Sequence, residues 1–347
     1  MRHHLGCAPG TVSWGALPTE RTPPVLEVDS GDVVVFDTVS QEGLMPDQGR
    51  DPVSYFGAFG VPADGVLAEA AEIAASGLGP TLGPHLVLGP VRVRQARPGD
   101  WLRGEFLDFD PRVPYGVISS RHGRGALPGE LPSKPLVSRF CALTPDGRYA
   151  VFPHRGGEAL IEVRPFLGLC GVTPAGPEAL GTIPPGPYGG NLDLRELTAG
   201  STLHLPVQTE GAGFYVGDPH FAQGNGEVAL TALEGSLRAT VRLSVADAGP
   251  GATTWPLAET PDAWITVGLD EDLGEAMRQC VRQAVHLLRE VTGMSADEAY
   301  LYLSGAGDFA LTQVVDITQG VHCRISKALI ADPCVGRFPE RAPVYDH

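Results

Sequence analysis

The chain has 347 residues, of which 43% are hydrophobic, and this is enough apolar material for a folded protein with one or two cores. Its formal net charge is −16 at pH 7, and no basic cluster offsets this charge locally. Such a charge argues against nucleic acid and anionic membranes as partners, because both repel an acidic surface. We therefore expect small or neutral partners.

The cysteines and the apolar runs bear on the compartment. Six cysteines are widely spaced and form no C-x-x-C pair, so we interpret them as reduced, buried thiols: Cys7, Cys141, Cys170, Cys280, Cys323 and Cys334. We find no apolar run of membrane-spanning length and no signal peptide. These features predict a soluble, cytoplasmic protein.

The distribution of glycine and proline predicts the fold class. The 45 glycines and 32 prolines separate many short apolar runs, which is typical of turns between strands. We predict a mainly β protein, a sandwich or barrel built of hairpins, with an α+β C-terminal part that carries one long helix. The predicted segments are an N-terminal β domain with a short inserted helix (1–160), a β domain with the main site motifs (161–258) and the C-terminal part (259–347).

In chain order, strand–turn–strand patterns come first. Residues 24–28 and 33–39 predict one hairpin, and residues 91–94 and 101–109 predict a second one of similar design. We interpret the aspartates of these patterns as turn and edge residues: Asp32, Asp37 and Asp100.

Between the two patterns lies a stretch with helical composition. Residues 66–75 are rich in alanine, with Asp64 as the expected N-cap and Gly77 as the expected end. This predicts one short surface helix.

Residues 189–227 have the pattern of a functional site, because polar side chains alternate there with glycines and short apolar runs. The candidate residues are Asn191, Asp193, Asp218, His220, Gln223, Asn225 and Glu227. An unpaired carboxylate in a core strand costs several kcal/mol, so we expect these groups on turns. The predicted arrangement is a hairpin of buried strands whose glycine-rich ends present the polar groups to one pocket.

The next pattern is a strand pair. Residues 228–233 and 237–245 predict a hairpin closed by a turn at Glu234 and Gly235, since the second run alternates apolar and polar residues. This hairpin would hold Glu227 at the mouth of a rigid strand.

After a linker-like stretch at 246–262, the period changes to that of helices. An apolar stripe from Leu273 to Val291, acidic residues before it and Gly293 after it predict the longest helix. A capping box at Ser295 and Glu298 predicts a second helix to about Leu303. We expect both helices to pack on a smaller sheet, with a strand at 311–315 between two structural aspartates, Asp308 and Asp316.

Several motifs resemble the acetamidase/formamidase family, and they follow one another in the same order over most of the chain. They are HLVLGP (85–90), PGD (98–100), GGNLD (189–193), GSTLHLPV (200–207), GDPHFAQGNGE (217–227), EAY (298–300) and TQVVD (312–316). One departure is Asn225, which stands where the family usually has aspartate. The resemblance implies hydrolysis of short amides to carboxylate and ammonia, with a divalent metal.

The chemistry of the residues agrees with that implication. Aspartate and histidine two residues apart can bind one divalent metal, and zinc accepts oxygen and nitrogen ligands while leaving a position for water. The resemblance assigns His85, Asp193 and His220 as metal ligands. Glu227 would transfer protons, Asp218 would assist it, and the expected substrate contacts are Asn191, Gln223 and Asn225.

Two alternatives stay open from the sequence. A serine or cysteine nucleophile is the second route to amide hydrolysis, although no G-x-S-x-G elbow occurs and no cysteine lies in 189–227. The protein could instead be a non-catalytic small-ligand-binding or inactive member of the same fold. For the enzyme we expect a small amide as substrate, zinc as the metal and a homo-oligomer.

Overall fold

The computed structural model describes residues 1–246 and 254–330, and it confirms the predicted mainly β fold. Two large sheets contain the strands of the described chain. The first sheet has nine strands, in the spatial order β1 (Arg2–Gly6), β4 (Asp32–Asp37), β16 (Leu237–Ala246), β6 (Trp101–Pro111), β13 (Thr202–Pro206), β17 (Leu257–Glu259), β18 (Ala263–Asp270), β20 (Gln319–Ser326) and β19 (Asp308–Leu311).

The second sheet has eleven strands, and its main path runs through eight of them. These are β10 (Gly157–Glu162), β9 (Tyr149–His154), β8 (Leu136–Leu143), β7 (Tyr115–Arg121), β15 (Leu233–Glu234), β14 (Phe214–Ala222), β11 (Phe166–Gly171) and β12 (Gly189–Asn191). The other three strands lie off this path. β5 (Leu86–Val93) pairs with β14, and β2 (Val12–Trp14) and β3 (Leu26–Val28) both pair with β5.

The main core lies where apolar side chains of the two sheets meet. Phe36 on β4 contacts Phe214 on β14, with ring centroids 6.0 Å apart. Every residue of β14 is buried, which gives this strand two covered faces. The second sheet therefore holds its longest fully buried strand at a fixed position, and this strand carries part of the candidate site.

The predicted hairpins are wrong, although most of their strands exist. β3 and β4 lie in different sheets, and the same is true of β5 and β6 and of β13 and β14. Their connections cross from one sheet to the other. Alternation of apolar and polar residues shows that one face of a strand is buried, but it does not show which strand is the partner. The pattern therefore fits a connection between the two sheets as well as a hairpin.

The predicted hairpin at 228–245 is wrong for a different reason. Its second strand is β16, but residues 228–232 form no strand, and the short β15 pairs with β14 and β7 instead of β16. Glu234 consequently lies on a buried strand of the second sheet and not on a turn.

The described chain has two short α-helices in its first 80 residues, α1 (Pro52–Gly57) and α2 (Ala68–Ala75). Helix α2 confirms the predicted surface helix, but its N-cap is Leu67, without a side-chain hydrogen bond. Asp64 lies in a separate 3-10 turn, so its predicted capping role is wrong. The sequence analysis missed α1, which is too short to show a period.

The two C-terminal helices match the prediction closely. In α3 (Leu273–Thr292), the side chain of Asp272 accepts a hydrogen bond from Glu275, and Gly293 ends the helix at φ 76°. In α4 (Ala296–Ala306), both hydrogen bonds of the capping box are present. These ends form because each local sequence satisfies the free N–H and C=O groups of a helix terminus.

Helix α3 packs on β18 and β20, at one end of the nine-stranded sheet and not on a separate smaller sheet. A Cβ atom at Gly268 would lie 2.0 Å from the carbonyl oxygen of Ala276, so glycine permits this close packing. The predicted strand at 311–315 reaches only its first residue, because β19 ends at Leu311. Residues 312–316 instead form a turn next to the site.

The predicted segments, the absence of a membrane-spanning helix among the described residues and the cysteines can be compared with the structure. Strands from all three predicted segments contribute to the first sheet, and the division into 1–160, 161–258 and 259–347 stays a prediction. No described helix is long and apolar enough to span a membrane. The five described cysteines are buried and free, whereas Cys334 and residues 247–253 of the predicted linker lie outside the described residues.

Candidate active site

The candidate site lies where the edge of β14 changes its partner. The first half of β14 pairs with β5 through Val216 and Gly217, and the second half pairs with β15 from His220 onwards. Asp218 lies between these two pairings, at φ 49°. The change of partner opens the edge of the strand, and the carboxylate of Asp218 lines a cavity there.

Asp218 and His220 therefore lie within a buried strand, and the expectation that they lie on turns is wrong. Their burial is possible because the imidazole matches the carboxylates. His220 Nε2 lies 2.9 Å from Asp218 Oδ2 and 3.1 Å from Glu234 Oε1. A buried charge is tolerated when an opposite charge and hydrogen bonds compensate it.

Asp193 approaches His220 from the other side. It follows β12 and has φ 49°, and its Oδ1 lies 3.8 Å from His220 Nδ1. Asn191 Nδ2 donates to Asp193 Oδ2 at 2.8 Å, and Gln223 Nε2 donates to the backbone oxygen of Asp193 at 2.8 Å. Two of the predicted site residues thus hold a third in place.

Glu227 completes this group on a turn, as predicted. Its backbone N–H donates to the Gly224 oxygen at 3.1 Å, and its own φ is 44°. One ligand atom each from Asp193, His220 and Glu227 lies within 4.8 Å of the other two. The three residues are all buried, so the predicted cluster does come together.

His85 lies directly before β5 and lines the cavity. Its Nδ1 is 3.3 Å from the Thr182 oxygen, and its Nε2 is 4.0 Å from Asp218 Oδ1. Burial lowers the pKa of His85, although the charge of Asp218 opposes this effect. A neutral imidazole with Nε2 directed at the cluster is the form that binds a metal.

The sequence analysis missed three polar residues of the site. Gln41 Nε2 donates to Asp218 Oδ1 at 2.9 Å and to Glu234 Oε2 at 3.1 Å, so one amide joins two carboxylates. Asp316, for which we predicted a structural role, is buried and lines the cavity. The TQVVD motif was a signal for Asp316, whereas no local pattern pointed to Gln41 or Glu234.

Gly168 on β11 is also part of the site. A Cβ atom there would lie 2.4 Å from Asp193 Oδ1, 2.6 Å from His220 Cε1 and 2.7 Å from Asp218 Oδ2. These distances are too short for any side chain. Glycine at 168 therefore lets the three site residues converge over the backbone of β11.

The backbone at the site is strained. Seven described residues other than glycine have positive φ, and three of them are Asp193, Asp218 and Glu227. Each such conformation costs about 1–3 kcal/mol when the surrounding structure imposes it. A concentration of this strain at three clustered carboxylates is typical of functional sites.

The electrostatics of the cluster follow from burial and from carboxylate crowding. Burial, reinforced by neighbouring carboxylates, raises the pKa of Asp193 and of Glu227 well above their ordinary values. The same causes raise the pKa of Glu234 to about 8 and the pKa of Asp316 to about 7. The excess of carboxylates over cations makes the site attractive for a positive ion.

Burial lowers the pKa of His220, but the charges of Asp218 and Glu234 outweigh this effect and raise it. Burial raises the pKa of Asp218, but the charges of His220 and His85 outweigh this effect and lower it. The two groups therefore stabilise each other's charged form.

The residues fit a divalent metal. Asp193 Oδ1 and His220 Nδ1 are buried atoms without a hydrogen-bond partner among the described residues. Two overlapping groups have ligand atoms close enough to hold an ion: Asp193, His220 and Glu227, and Asp218, His220 and Glu234. Oxygen and imidazole nitrogen donors of this kind suit zinc and similar ions.

Two cavities meet at this cluster. The main cavity has a volume of ≈ 390 Å³ and is lined by His85, Asn191 and Asp193 among others. A second cavity, also ≈ 390 Å³, is lined by Gln223 and the exposed Asn225. Glu227 and Thr231 line both cavities. The predicted substrate contacts thus divide between the two cavities.

Together, fold and site define a two-sheet β protein with a buried carboxylate and histidine cluster at the base of a cavity. The solved acetamidase of Bacillus halodurans has the same fold, with a TM-score of 0.76, 24% sequence identity and coverage of 96% of this chain and 100% of that chain. A predicted acetamidase/formamidase of Thermoanaerobacter tengcongensis also has a TM-score of 0.76, at 20% identity and with 95% and 97% coverage.

Sequence comparison agrees with the fold. The profile of the Acetamidase/Formamidase family matches residues 171–327, so this part of the chain is similar to that family. The acetamidase of Mycolicibacterium smegmatis is 26% identical over 296 residues, which are 63% of this chain and 72% of that protein. The formamidase of Methylophilus methylotrophus is 27% identical over 191 residues, which are 42% of this chain. The chain spans about half the length of that formamidase, 47%.

Proposed function

We propose that this protein is a metal-dependent amidohydrolase that converts a short linear amide into a carboxylate and ammonia. The observation that carries the proposal is the group Asp193, His220 and Glu227, whose ligand atoms converge beside a cavity. The names of the relatives, acetamidase and formamidase, support the same reaction.

For the metal we propose Asp193 and His220 as ligands, with His85 as the third. The atoms without hydrogen-bond partners, Asp193 Oδ1 and His220 Nδ1, support the first two assignments. We expect zinc, which when bound there would acidify a water molecule and polarise the amide carbonyl. Gln41, Asp218 and Glu234 hold the His220 ring in one orientation through the contacts described above.

Proton transfer is the role that we assign to Glu227. An amide nitrogen leaves only after it has been protonated, because amide anion is a very poor leaving group. A carboxylate that accepts a proton from water and then donates it to nitrogen serves both steps. The buried position of Glu227 between the cavities, on a turn held by the Gly224 oxygen, supports this assignment. Asp218 assists by holding the His220 ring in place, through the 2.9 Å contact of its Oδ2 with His220 Nε2.

Substrate contacts come from the amide side chains. Asn191 lines the main cavity, and its Oδ1 is buried without a partner among the described residues, so it can accept a hydrogen bond from the substrate N–H₂ group. We assign Gln223 and Asn225 to the second cavity, where Asn225 is free to contact substrate or product.

We further propose that the protein is a cytoplasmic homo-oligomer. Light scattering of the purified protein measures the number of subunits.

Ammonia release from formamide, acetamide and propionamide tests the function directly. The purified protein should release ammonia from at least one of them, lose this activity after treatment with a chelator and regain it with added Zn²⁺. Release that is unaffected by thorough metal removal would contradict the metal-dependent reaction. Absence of release from every amide, at full metal content, would favour the ligand-binding alternative.

A further inference from the structure

The main cavity is much larger than the amides named above. At ≈ 390 Å³ it has room for about a dozen water molecules at roughly 30 Å³ each. Acetamide has only four non-hydrogen atoms. A site that bound acetamide alone would leave most of this space to water and would gain no binding energy from it.

Part of the cavity lining is apolar, and we call this part the apolar wall. It consists of Met45, Leu82, Ile183, Leu230 and Val315. Leu82 is 54% exposed, and Leu230 is held at φ 104°, a conformation that leucine rarely adopts. Exposed or strained apolar side chains around a concave surface are typical of a wall that contacts a ligand.

We infer that the substrate is a linear primary amide with an apolar acyl chain longer than acetyl, whose amide group lies at the Asp193, His220 and Glu227 cluster and whose chain lies against this apolar wall. The inference rests on the proposed amidase function and specifies its substrate class.

The charges around the cavity favour a neutral chain over an acidic one. Six carboxyl groups line the cavity: Glu42, Asp193, Asp218, Glu227, Glu234 and Asp316. Of the two lining arginines, Arg121 already pairs with Asp47, at 2.5 Å and 2.9 Å. Arg124 alone would have to offset the repulsion of a carboxylate on the substrate. A neutral aliphatic chain avoids this repulsion and removes its own apolar surface from water.

A homologous series of amides tests the inference: formamide, acetamide, propionamide, butyramide and pentanamide. A fully buried methylene contributes about 0.8 kcal/mol, which corresponds to about fourfold in kcat/KM. We expect kcat/KM to rise by about this factor at each step, or about 60-fold from acetamide to pentanamide. Succinamic acid, which carries a terminal carboxylate, should be a worse substrate than butyramide.

The outcomes separate the inference from the function. If formamide or acetamide is hydrolysed best and longer amides are poor substrates, the inference fails and the amidase function stands. A preference for succinamic acid over butyramide also overturns the inference, because Arg124 would then dominate. If no amide of the series is hydrolysed at full metal content, the proposed function itself fails.

A cavity-filling variant gives a second, local test. Val315→Phe adds bulk to the apolar wall and should lower the ratio of kcat/KM for pentanamide to that for acetamide by about fivefold or more, since overpacking costs about 1–3 kcal/mol. The matched control is Val53→Phe, the same replacement at an exposed valine of α1 outside the cavity. An equal ratio in both variants would overturn the placement of the acyl chain.

Discussion

Buried carboxylates occur in two contrasting regions of the molecule. In the first sheet, Asp37 at the end of β4 accepts hydrogen bonds from Arg238 Nε and Nη2 at 2.7 Å and 2.8 Å, and His4 Nε2 lies 2.9 Å away. Arg112 adds a further positive charge at 3.9 Å. The negative charge of this carboxylate is therefore balanced by two neighbouring arginines.

In the second sheet, the carboxylates at the base of the cavity face one another. Among the described residues, no arginine or lysine forms an ion pair with any of Asp193, Asp218, Glu227, Glu234 and Asp316. His220 supplies the nearby positive charge, and several buried ligand atoms have no hydrogen-bond partner within the described part of the chain. Three of these carboxylates also have strained backbones.

From this difference we interpret Asp37 as a structural carboxylate and the cavity carboxylates as candidate functional ones. The Asp37 network stabilises the fold, so its loss should reduce stability. The cavity carboxylates oppose folding through burial and mutual repulsion, and they persist where a function requires them.

Glu227→Gln should reduce amide turnover by about 10²- to 10⁴-fold, the usual contribution of a general acid and base. The change keeps the size of the side chain and removes its charge from a crowded cluster, so thermal stability should equal or exceed that of the wild type. Steady-state kinetics and a melting curve on the same preparation check both expectations. Retained turnover would move the proton-transfer role to Asp218, and lost metal would make Glu227 a ligand.

Asp218→Asn should weaken metal affinity by about 10- to 100-fold without abolishing binding, because a group that orients a ligand has this effect. Competition with a chelating dye measures the affinity. A complete loss of metal would show that Asp218 is itself a ligand. Unchanged affinity would show that its contact with His220 does not affect the metal.

Gly168→Ala tests the convergence of the site over β11. The added methyl group would lie within 2.7 Å of three site residues and should cost about 1–3 kcal/mol of stability, together with most of the activity. The matched control is Gly10→Ala, where no atom lies within 4 Å of the new Cβ. Denaturant unfolding and amide turnover check the pair. Equal behaviour of the two variants would be evidence against the described geometry.

Asp37→Asn should lower the free energy of unfolding at neutral pH by about 1 kcal/mol. This is less than the pKa shift alone implies, because solvent screens part of the attraction between Asp37 and Arg238. Burial acts to raise the pKa of Asp37, but the hydrogen bonds from Arg238 and His4 lower it from 3.8 to about 2. Since the folded-state pKa lies below the unfolded value, this stability is present above about pH 4 and is lost as the pH falls toward 2.

Unfolding of wild type and Asp37→Asn at pH 7 and at pH 3 measures this difference. The gap between the two proteins should shrink at pH 3, and amide turnover at neutral pH should stay within about twofold. A gap that is equal at both pH values would show that packing, not charge, stabilises Asp37.

The sequence predicted those parts of the fold that depend on local rules. The ends of α3 and α4 follow from side-chain caps at Asp272 and Ser295 and from Gly293, and all of these lie next to the groups that they satisfy. Strand partners depend on residues far along the chain, and for this reason the hairpins were wrong. Asp37 shows the same limit, because its partner Arg238 lies 201 residues away.

The site was predicted in composition but not in geometry. Asp193, His220 and Glu227 come together as expected, and Asn191 and Gln223 hold Asp193. Glu234 and Gln41 could not be found from local patterns, because they reach the cluster through the pairing of β15 with β14 and through a loop 177 residues from Asp218. The roles that we assign to these residues stay predictions.

The metal content of His220→Ala tests the central claim most directly. His220 belongs to both groups of candidate ligands. Elemental analysis should therefore show a stoichiometric divalent metal in the wild type and its loss in the purified variant. The exposed His122 serves as the matched control, and His122→Ala should keep full metal content. Full metal stoichiometry in a folded His220→Ala would contradict the claim that this buried cluster is a metal centre.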